Sequence, residues 1–217
     1  MNIPLDMVKN TIHKTKNNGD LKITNYVGKY EVYIEFIDTG FRRCTDSTAI
    51  RSGSVKDYMR PSVCGIGFLG IGEYKAQINR IKTKEYEVWG AMLKRCYSKI
   101  TQEHSPSYVG VTVCDEWFDF QVFCQWFNDN YKEGMHLDKD ILSKGSRQYN
   151  PLNCSFVSVA ENNIEAHAKH YKFKWCNGYV AEVYNLTQFC KDNKLSQPCM
   201  SGVIHGNQQS HRGWSLP

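Results

Sequence analysis

Several classes are set aside by what the sequence lacks. No apolar run approaches the roughly 18 residues that cross a bilayer, so neither a membrane span nor a membrane partner is expected. The start, Met1-Asn2-Ile3-Pro4-Leu5-Asp6, lacks the long apolar stretch of a secretory signal, and a cytoplasmic place is expected. There is no long repeat and no low-complexity linker. The nine cysteines are odd in number, and no two are separated by the two residues of a zinc knuckle. They read as reduced, buried small hydrophobes, and a zinc site gathered from scattered positions stays open. Gly65, Gly67, Gly70 and Gly72 lack the preceding strand and the following helix with Lys and Ser/Thr that a phosphate loop requires. They are expected to be tight turns in a small barrel.

What is present is enough for a packed protein. The 217 residues suit one large domain or two to three small ones, and 41% apolar content predicts a buried core. The formal charge of +5 is compatible with a polyanionic partner without requiring one.

Three changes of pattern divide the chain. From Asp20 to Tyr74 apolar and polar residues alternate, as in Glu31-Val32-Tyr33-Ile34-Glu35-Phe36. Asp38-Thr39-Gly40 then reads as a turn and Phe41-Arg42-Arg43-Cys44 as a returning strand. The polar stretch Lys9 to Asn18 reads as a mobile or helical lead-in. Between Lys84 and Ser98 the period becomes helical, with Tyr86, Trp89, Met92, Leu93 and Cys96 on one face. A second helix is expected from Phe118 to Tyr131, with Phe120, Phe123, Cys124 and Phe127 as its core stripe, and a short strand between the two at Tyr108 to Cys114. Next come a strand at Leu137 to Leu142, a loop, a strand at Cys154 to Val159 and helical composition from Ala160. The chain closes with two short helices. Ser196 is a candidate N-cap and Gly206 a candidate C-terminal cap.

The strand-loop-strand-helix unit holds Asp138, Asn153 and Asn162. A hard divalent cation prefers oxygen ligands and needs only one or two carboxylates from the protein. A carboxylate on a strand facing an amide on a packed helix would supply two ligands, with phosphate and water filling the rest.

This unit resembles a known group. Leu137-Asp138-Lys139-Asp140-Ile141-Leu142, Tyr149-Asn150-Pro151, Asn153-Cys154-Ser155-Phe156-Val157 and Glu161-Asn162 together look like the ββα-metal motif of phage HNH homing endonucleases. Trp89 to Tyr97, Tyr108 to Val111 and Cys114 to Trp117 resemble the segment that precedes the motif there. Ile34 to Gly40 and Ile50 to Asp57 resemble the N-terminal part of such phage proteins. The resemblance covers most of the chain, and its specificity lies in the joint run of motifs.

The resemblance implies an α+β protein in three parts. These are a small β-rich DNA-binding module at 1–80, an HNH-like nuclease domain at 81–170 and a helix-turn-helix DNA-binding module at 171–217. It implies double-stranded DNA as partner, Mg²⁺ or Mn²⁺ as cofactor and, for a phage-encoded chain, the host cytoplasm as location. Asp138 and Asn162 would hold the metal, with Asn163 as the alternative if the helix register differs by one. Asn153 would hold the ββ loop through backbone hydrogen bonds. The departure is at the base, where Lys139 stands in place of the usual His. An ordinary lysine is protonated at neutral pH and cannot accept a proton. By strand alternation His136 and Asp140 share a face with Asp138, which makes them the candidate helpers, unless a bulge re-aims Lys139. His167 and His170 read as a solvated helix end.

Residues Tyr184 to Leu195, Met200 to Gly206 and His211 to Trp214 resemble the helix-turn-helix modules attached to such nucleases. Phe189, Leu195, Met200, Val203, Ile204 and Trp214 would form its core. Gln197, Ser201, His205, Asn207 and Arg212 would face bases and phosphates, joined by Arg51 and Lys56 of the N-terminal part. The function so implied is a site-specific DNA endonuclease using one divalent metal. The competing reading is an HNH-derived DNA-binding protein that no longer cuts and acts as a repressor or site competitor. Target sequence, nicking against double-strand cutting, and oligomeric state are not legible in the sequence.

Overall fold

A computed structural model describes residues 2–139, 145–161 and 169–217 of the chain. The fold is mixed α+β. It divides into two compact units, Met1–Tyr131 with Leu142–Cys154, and Lys132–Ile141 with Ser155–Pro217.

In the first unit, β1 (Ile12–Lys14), β2 (Asp20–Gly28), β3 (Glu31–Phe36) and β4 (Arg42–Thr45) form one antiparallel sheet in chain order. Alternation along β3 buries Val32, Ile34 and Phe36 and exposes Glu31 and Tyr33. The buried face meets Leu21, Ile23, Met7, Val55 and Ile50 of helix α1 (Ser47–Ser52). Each such aliphatic side chain contributes about 1.5–3 kcal/mol on full burial. α1 begins where the Asp46 carboxylate accepts the Ala49 N–H at 2.8 Å, filling one orphan donor of the first turn. Two expectations are corrected here. The segment Lys9 to Asn18 contains a strand, because Ile12 to Lys14 pair with Asp20 to Lys22. The sheet is open, with distinct edges at β1 and β4, and is not a barrel.

The same unit continues through a small hairpin, β5 (Gln77–Ile78) and β6 (Ile81–Lys82), into α2 (Lys84–Tyr97), α3 (Lys99–His104) and α4 (Phe120–Asn130). Trp89, Met92, Leu93 and Cys96 of α2 are buried, as are Phe120, Phe123, Cys124 and Phe127 of α4. These are the two predicted stripes. Trp117 completes this core, since its carbonyl accepts the Trp89 indole N–H at 2.7 Å and its ring lies 4.7 Å from that of Trp126. Gly65 stands in a turn at φ +72° with open space around it, as expected, whereas Gly67 and Gly70 answer to this packing. A Cβ on Gly67 would stand 2.4 Å from the Leu93 side chain and one on Gly70 2.0 Å from the Asp119 carboxylate, which caps α4 through Gln121 N–H. The strand expected at Tyr108 to Cys114 is only β7 (Thr112–Val113), which runs parallel to β9 (Gln148–Tyr149). Its first half is taken by a 3-10 turn at Pro106–Tyr108 and by Gly110 at φ +75°.

In the second unit, β8 (His136–Asp138) pairs antiparallel with β10 (Ser155–Val157). A separate four-stranded sheet has the order β12-β11-β14-β13, from β11 (Tyr171–Trp175), β12 (Val180–Val183), β13 (Ser210–His211) and β14 (Trp214–Ser215). Helices α5 (Leu186–Asp192) and α6 (Gln197–Ile204) pack with it around Phe173, Val183, Cys190, Met200, Val203 and Trp214. The purely helical module expected at 171–217 therefore carries a sheet as well. Alternation in Tyr171-Lys172-Phe173-Lys174-Trp175, with Phe173 fully buried, builds its central strand. Gly206 stands just past α6 at φ +73°, in the left-handed position of a C-terminal cap. Ser196 occupies the N-cap position of α6, but its hydroxyl makes no cap.

Candidate functional site

The site begins at the β8–β10 pair. The register sets Asp138 opposite Ser155, Leu137 opposite Phe156 and His136 opposite Val157. Directly opposed side chains share a face of the ladder, so Asp138 lies beside Ser155, and His136 lies two residues along the same face. Leu137 is buried on the other face, Asp138 is half-buried and His136 is exposed. The Ser155 hydroxyl is buried and finds no hydrogen-bond partner among the described residues. The described strand ends at Asp138, and Lys139 stands in a bend. Strict strand alternation therefore does not fix the direction of Lys139. Asp140, Asn162, Asn163 and His167 lie outside the described residues.

β10 leads directly into a helix start. Ser158 N–H donates to Glu161 Oε2 at 2.8 Å, and Glu161 N–H donates to Ser158 Oγ at 3.2 Å. This reciprocal capping box satisfies two backbone donors. The Ser158 backbone N–H, and after it the Ser158 side chain, hold the Glu161 carboxyl below its ordinary range. Residues 159–161 are helical.

The described part of the loop between the strands is fixed from within the first unit. Asn150 Oδ1 accepts the N–H groups of Leu152 and Asn153, each at 2.9 Å. The Asn153 side chain donates from Nδ2 to Ser146 Oγ at 2.9 Å. Ser146 in turn donates to the Gln148 carbonyl at 3.1 Å. Asn153 thus bonds within the ββ loop through a side-chain partner, while Asn150 takes the backbone N–H groups. The Arg147 guanidinium donates to the Val109 carbonyl, and Thr112 N–H donates to the Arg147 carbonyl at 2.8 Å.

Two residues of this region were missed in the sequence. Arg95 of α2 places its guanidinium 5.4 Å from the ring centre of Tyr149 and 5.7 Å from that of Tyr108, a cation held over two aromatic faces. Tyr149 is buried, and burial pushes its hydroxyl far up from the ordinary tyrosine range. Arg95 carried no signal in the sequence, since only tertiary packing brings it over Tyr149. Ser155 had none, since only the register brings it to Asp138.

Among the described residues no three His, Cys, Asp or Glu side chains gather into a metal-binding cluster. What stands at β8–β10 is one carboxylate, a buried hydroxyl with no hydrogen-bond partner among the described residues and, along the same face, the exposed His136 imidazole. The two oxygen groups are donors of the kind a hard cation takes, with its other positions left to water and phosphate. None of the nine cysteines forms a disulfide among the described residues. Cys96, Cys114, Cys124, Cys154 and Cys190 are buried as expected, whereas Cys44 and Cys176 are exposed.

The residues expected to face DNA fall into two groups. Gln197 and Ser201 lie four apart on α6, with His205 four further on, which puts them on one side. His205 Nδ1–H donates to the Ser201 carbonyl at 2.8 Å, leaving Nε2 as an exposed acceptor. Asn207 and Arg212 are exposed beyond the helix, and Arg212 Nη1 donates to the Lys194 carbonyl at 2.8 Å. In the N-terminal sheet Lys56 is exposed, but Arg51 is held by the Asp6 carboxylate through bonds of 2.6 and 3.0 Å.

No known protein family and no curated protein matches the chain. Among solved structures it is similar to one described as DNA binding and cleavage by the HNH homing endonuclease I-HmuI, at 17% identity and a TM-score of 0.23. The match covers 40% of this chain and 59% of that one. Among the described residues, no helix is long and apolar enough to cross a membrane.

Proposed function

We propose that the chain is a phage-type, site-specific DNA endonuclease of the HNH kind, hydrolysing phosphodiester bonds with one divalent metal. The observation that carries this reading is local. Asp138 sits in an antiparallel strand pair whose second strand opens, through the Ser158–Glu161 capping box, into a helix. That is the strand-loop-strand-helix order that such a site needs.

In this reading Asp138 holds Mg²⁺ or Mn²⁺ together with Asn162. The bound ion would supply charge stabilisation at the scissile phosphate and at the leaving 3′-oxygen. His136, exposed on the same face as Asp138, would take the proton of the attacking water. Lys139 would contribute positive charge beside the phosphate, and Asp140 is the alternative helper. Asn153 acts as a positioning residue, through Ser146 in the loop. Gln197, Ser201, His205, Asn207 and Arg212 would contact the duplex from the C-terminal module, with Lys56 from the N-terminal one and only a small share from Arg51, which Asp6 already holds. Three modules, at 1–80, 81–170 and 171–217, would then divide the labour of binding and cutting.

The test is metal-dependent cutting of duplex DNA by the wild-type chain beside Asp138→Ala and His136→Ala. Loss of cutting in Asp138→Ala with retained DNA binding supports the assignment. Salt-sensitive, site-specific binding with no cutting in any metal would replace it with the repressor reading.

A further inference from the structure

The C-terminal unit contains a cleft of whose lining the endonuclease reading uses only Arg212. It has a volume of about 630 Å³, within the range of roughly 300–1,000 Å³ typical of small-ligand sites. Its walls come from β11, β12, β14 and α5 with the segments that follow α5 and precede β14. Among the described residues, no residue of α6 lines it. It is therefore distinct from the helix expected to read the duplex.

Three features define what would fit. First, the lining is aromatic: Trp175, Tyr179, Phe189 and Trp214. The Trp175 and Trp214 rings are 5.0 Å apart and inclined at 57°, and Tyr179 is 63% exposed at the edge. Gly213 fixes the floor. Its φ is +87°, and a Cβ there would lie 2.9 Å from the Trp175 ring, so only glycine lets that ring rest on the backbone. Second, the polar groups have capacity to spare. Arg212 is oriented by its bond to the Lys194 carbonyl and makes no other hydrogen bond among the described residues, and Asn193 gives Nδ2 to the Phe189 carbonyl while its Oδ1 accepts nothing there. Third, the tie is made under strain. Lys194 at φ +52° and Arg212 at φ +47° are both non-glycine residues in the left-handed region. Such strain is held where surrounding structure demands it, often at ligand clamps.

We propose that this cleft is a nucleobase-binding site. A base offers a flat π-face to Trp175 and Tyr179, an acceptor edge to Arg212 and a donor edge to Asn193 Oδ1. Glu182 also lines the cleft, but its carboxylate is paired with Lys172 at 2.8 Å, and residues 169–217 together hold six Lys and Arg against two Asp and Glu, a surplus that suits an attached phosphate. The base would come from an unpaired nucleotide of a strand or from a free mononucleotide.

The experiment uses the full chain in EDTA, so that its outcome does not depend on cutting. The protein is titrated with the four deoxynucleoside monophosphates, a 12-nucleotide single strand and the matching duplex. Tryptophan fluorescence and calorimetry report binding. Tyr179→Ala removes an exposed ring and should leave circular dichroism unchanged. It is expected to weaken binding about tenfold, the loss of one base–aromatic stack. Arg212→Gln, a second variant, is expected to do the same, and Tyr30→Ala, an exposed tyrosine of the other unit, to change nothing. Weakened single-strand binding assigns the base to a strand, and weakened mononucleotide binding assigns it to a free nucleotide. The proposal is overturned if neither probe binds, if neither cleft variant changes binding, or if Tyr179→Ala alters self-association instead.

Discussion

The chain has a small antiparallel sheet near each end, and the two handle core and charge differently. The N-terminal sheet has an almost wholly aliphatic core: Leu21, Ile23, Val32, Ile34, Ile50 and Val55 around Phe36. Several of its charged groups are engaged with one another, while Lys14, Lys16 and Lys56 stay exposed. Asp6 holds Arg51, Asp38 holds Arg60, and Glu35 lies between Lys22 and Arg42 at 2.7 and 2.6 Å. The C-terminal sheet has an aromatic core, with Phe173, Phe189, Trp175 and Trp214 in ring contact. Its exposed Lys174, Lys191 and Lys194 make no ion pair among the described residues. A charge already matched inside the protein gains less from a phosphate than one still facing water. Arg42 and Arg51 are therefore expected to contribute less to the attraction for DNA than Lys174, Lys191 and Lys194.

Four outcomes would break or sharpen that contrast. The largest concerns the cores. Ile34→Ala should cost about 2–5 kcal/mol by emptying a tightly packed aliphatic site, read by urea unfolding. The next concerns DNA affinity. Gln197→Ala should weaken specific binding by about tenfold, a bidentate base contact being worth roughly 1–3 kcal/mol. Arg51→Ala should change it less than threefold. Asp6→Asn, which releases Arg51, should strengthen it and steepen its salt dependence.

The third outcome is acid sensitivity. Asp6 is held below its ordinary 3.8 chiefly by the hydrogen bond from Arg51, Glu35 below its ordinary 4.5 by Lys22 and then Arg42, and Asp46 below 3.8 by the Ala49 N–H. A depressed folded-state pKa contributes stability that is fully present above the unfolded value and is lost as pH falls through the folded one. The N-terminal sheet should therefore weaken as pH drops from about 4.5 downward. In the C-terminal sheet Glu182 is lowered by Lys172, but that pair is mostly solvent-exposed and screened, so the same acid range should affect it less. Amide exchange resolved by region checks this.

The smallest effect is in the thiols. Cys44 and Cys176 should react with a thiol reagent in the native protein, one on each sheet region. Cys114 and Cys124, pushed up to about 11 and about 12 by burial, should react only on unfolding.

The helices α2 and α4 were legible because their aromatic stripes repeat at the helical period, and β2 to β4 because their residues alternate. The strands β11 and β12 were not, since they follow a stretch of helical composition and β11 is only five residues long. Gly67 and Gly70 looked like turns. Their role depends on Leu93 and Asp119, which lie far along the chain. At the site, Asp138 was legible as a carboxylate on a strand. Ser155 and Arg95 were not, because register and tertiary packing alone bring them to Asp138 and to Tyr149. Arg51 was read as a free cation, and only the fold reveals Asp6 beside it.

The central claim rests on Asp138 and is tested most directly by cutting. Random-sequence duplex DNA is incubated with the full chain and Mg²⁺ or Mn²⁺, and the new ends are sequenced. The account predicts ends that cluster at one sequence, vanish in EDTA and fall by more than about a hundredfold in Asp138→Ala, in line with the tenfold to hundredfold cost of losing even an outer-shell partner. Intact DNA under every metal, or cutting that persists in Asp138→Ala, would contradict it.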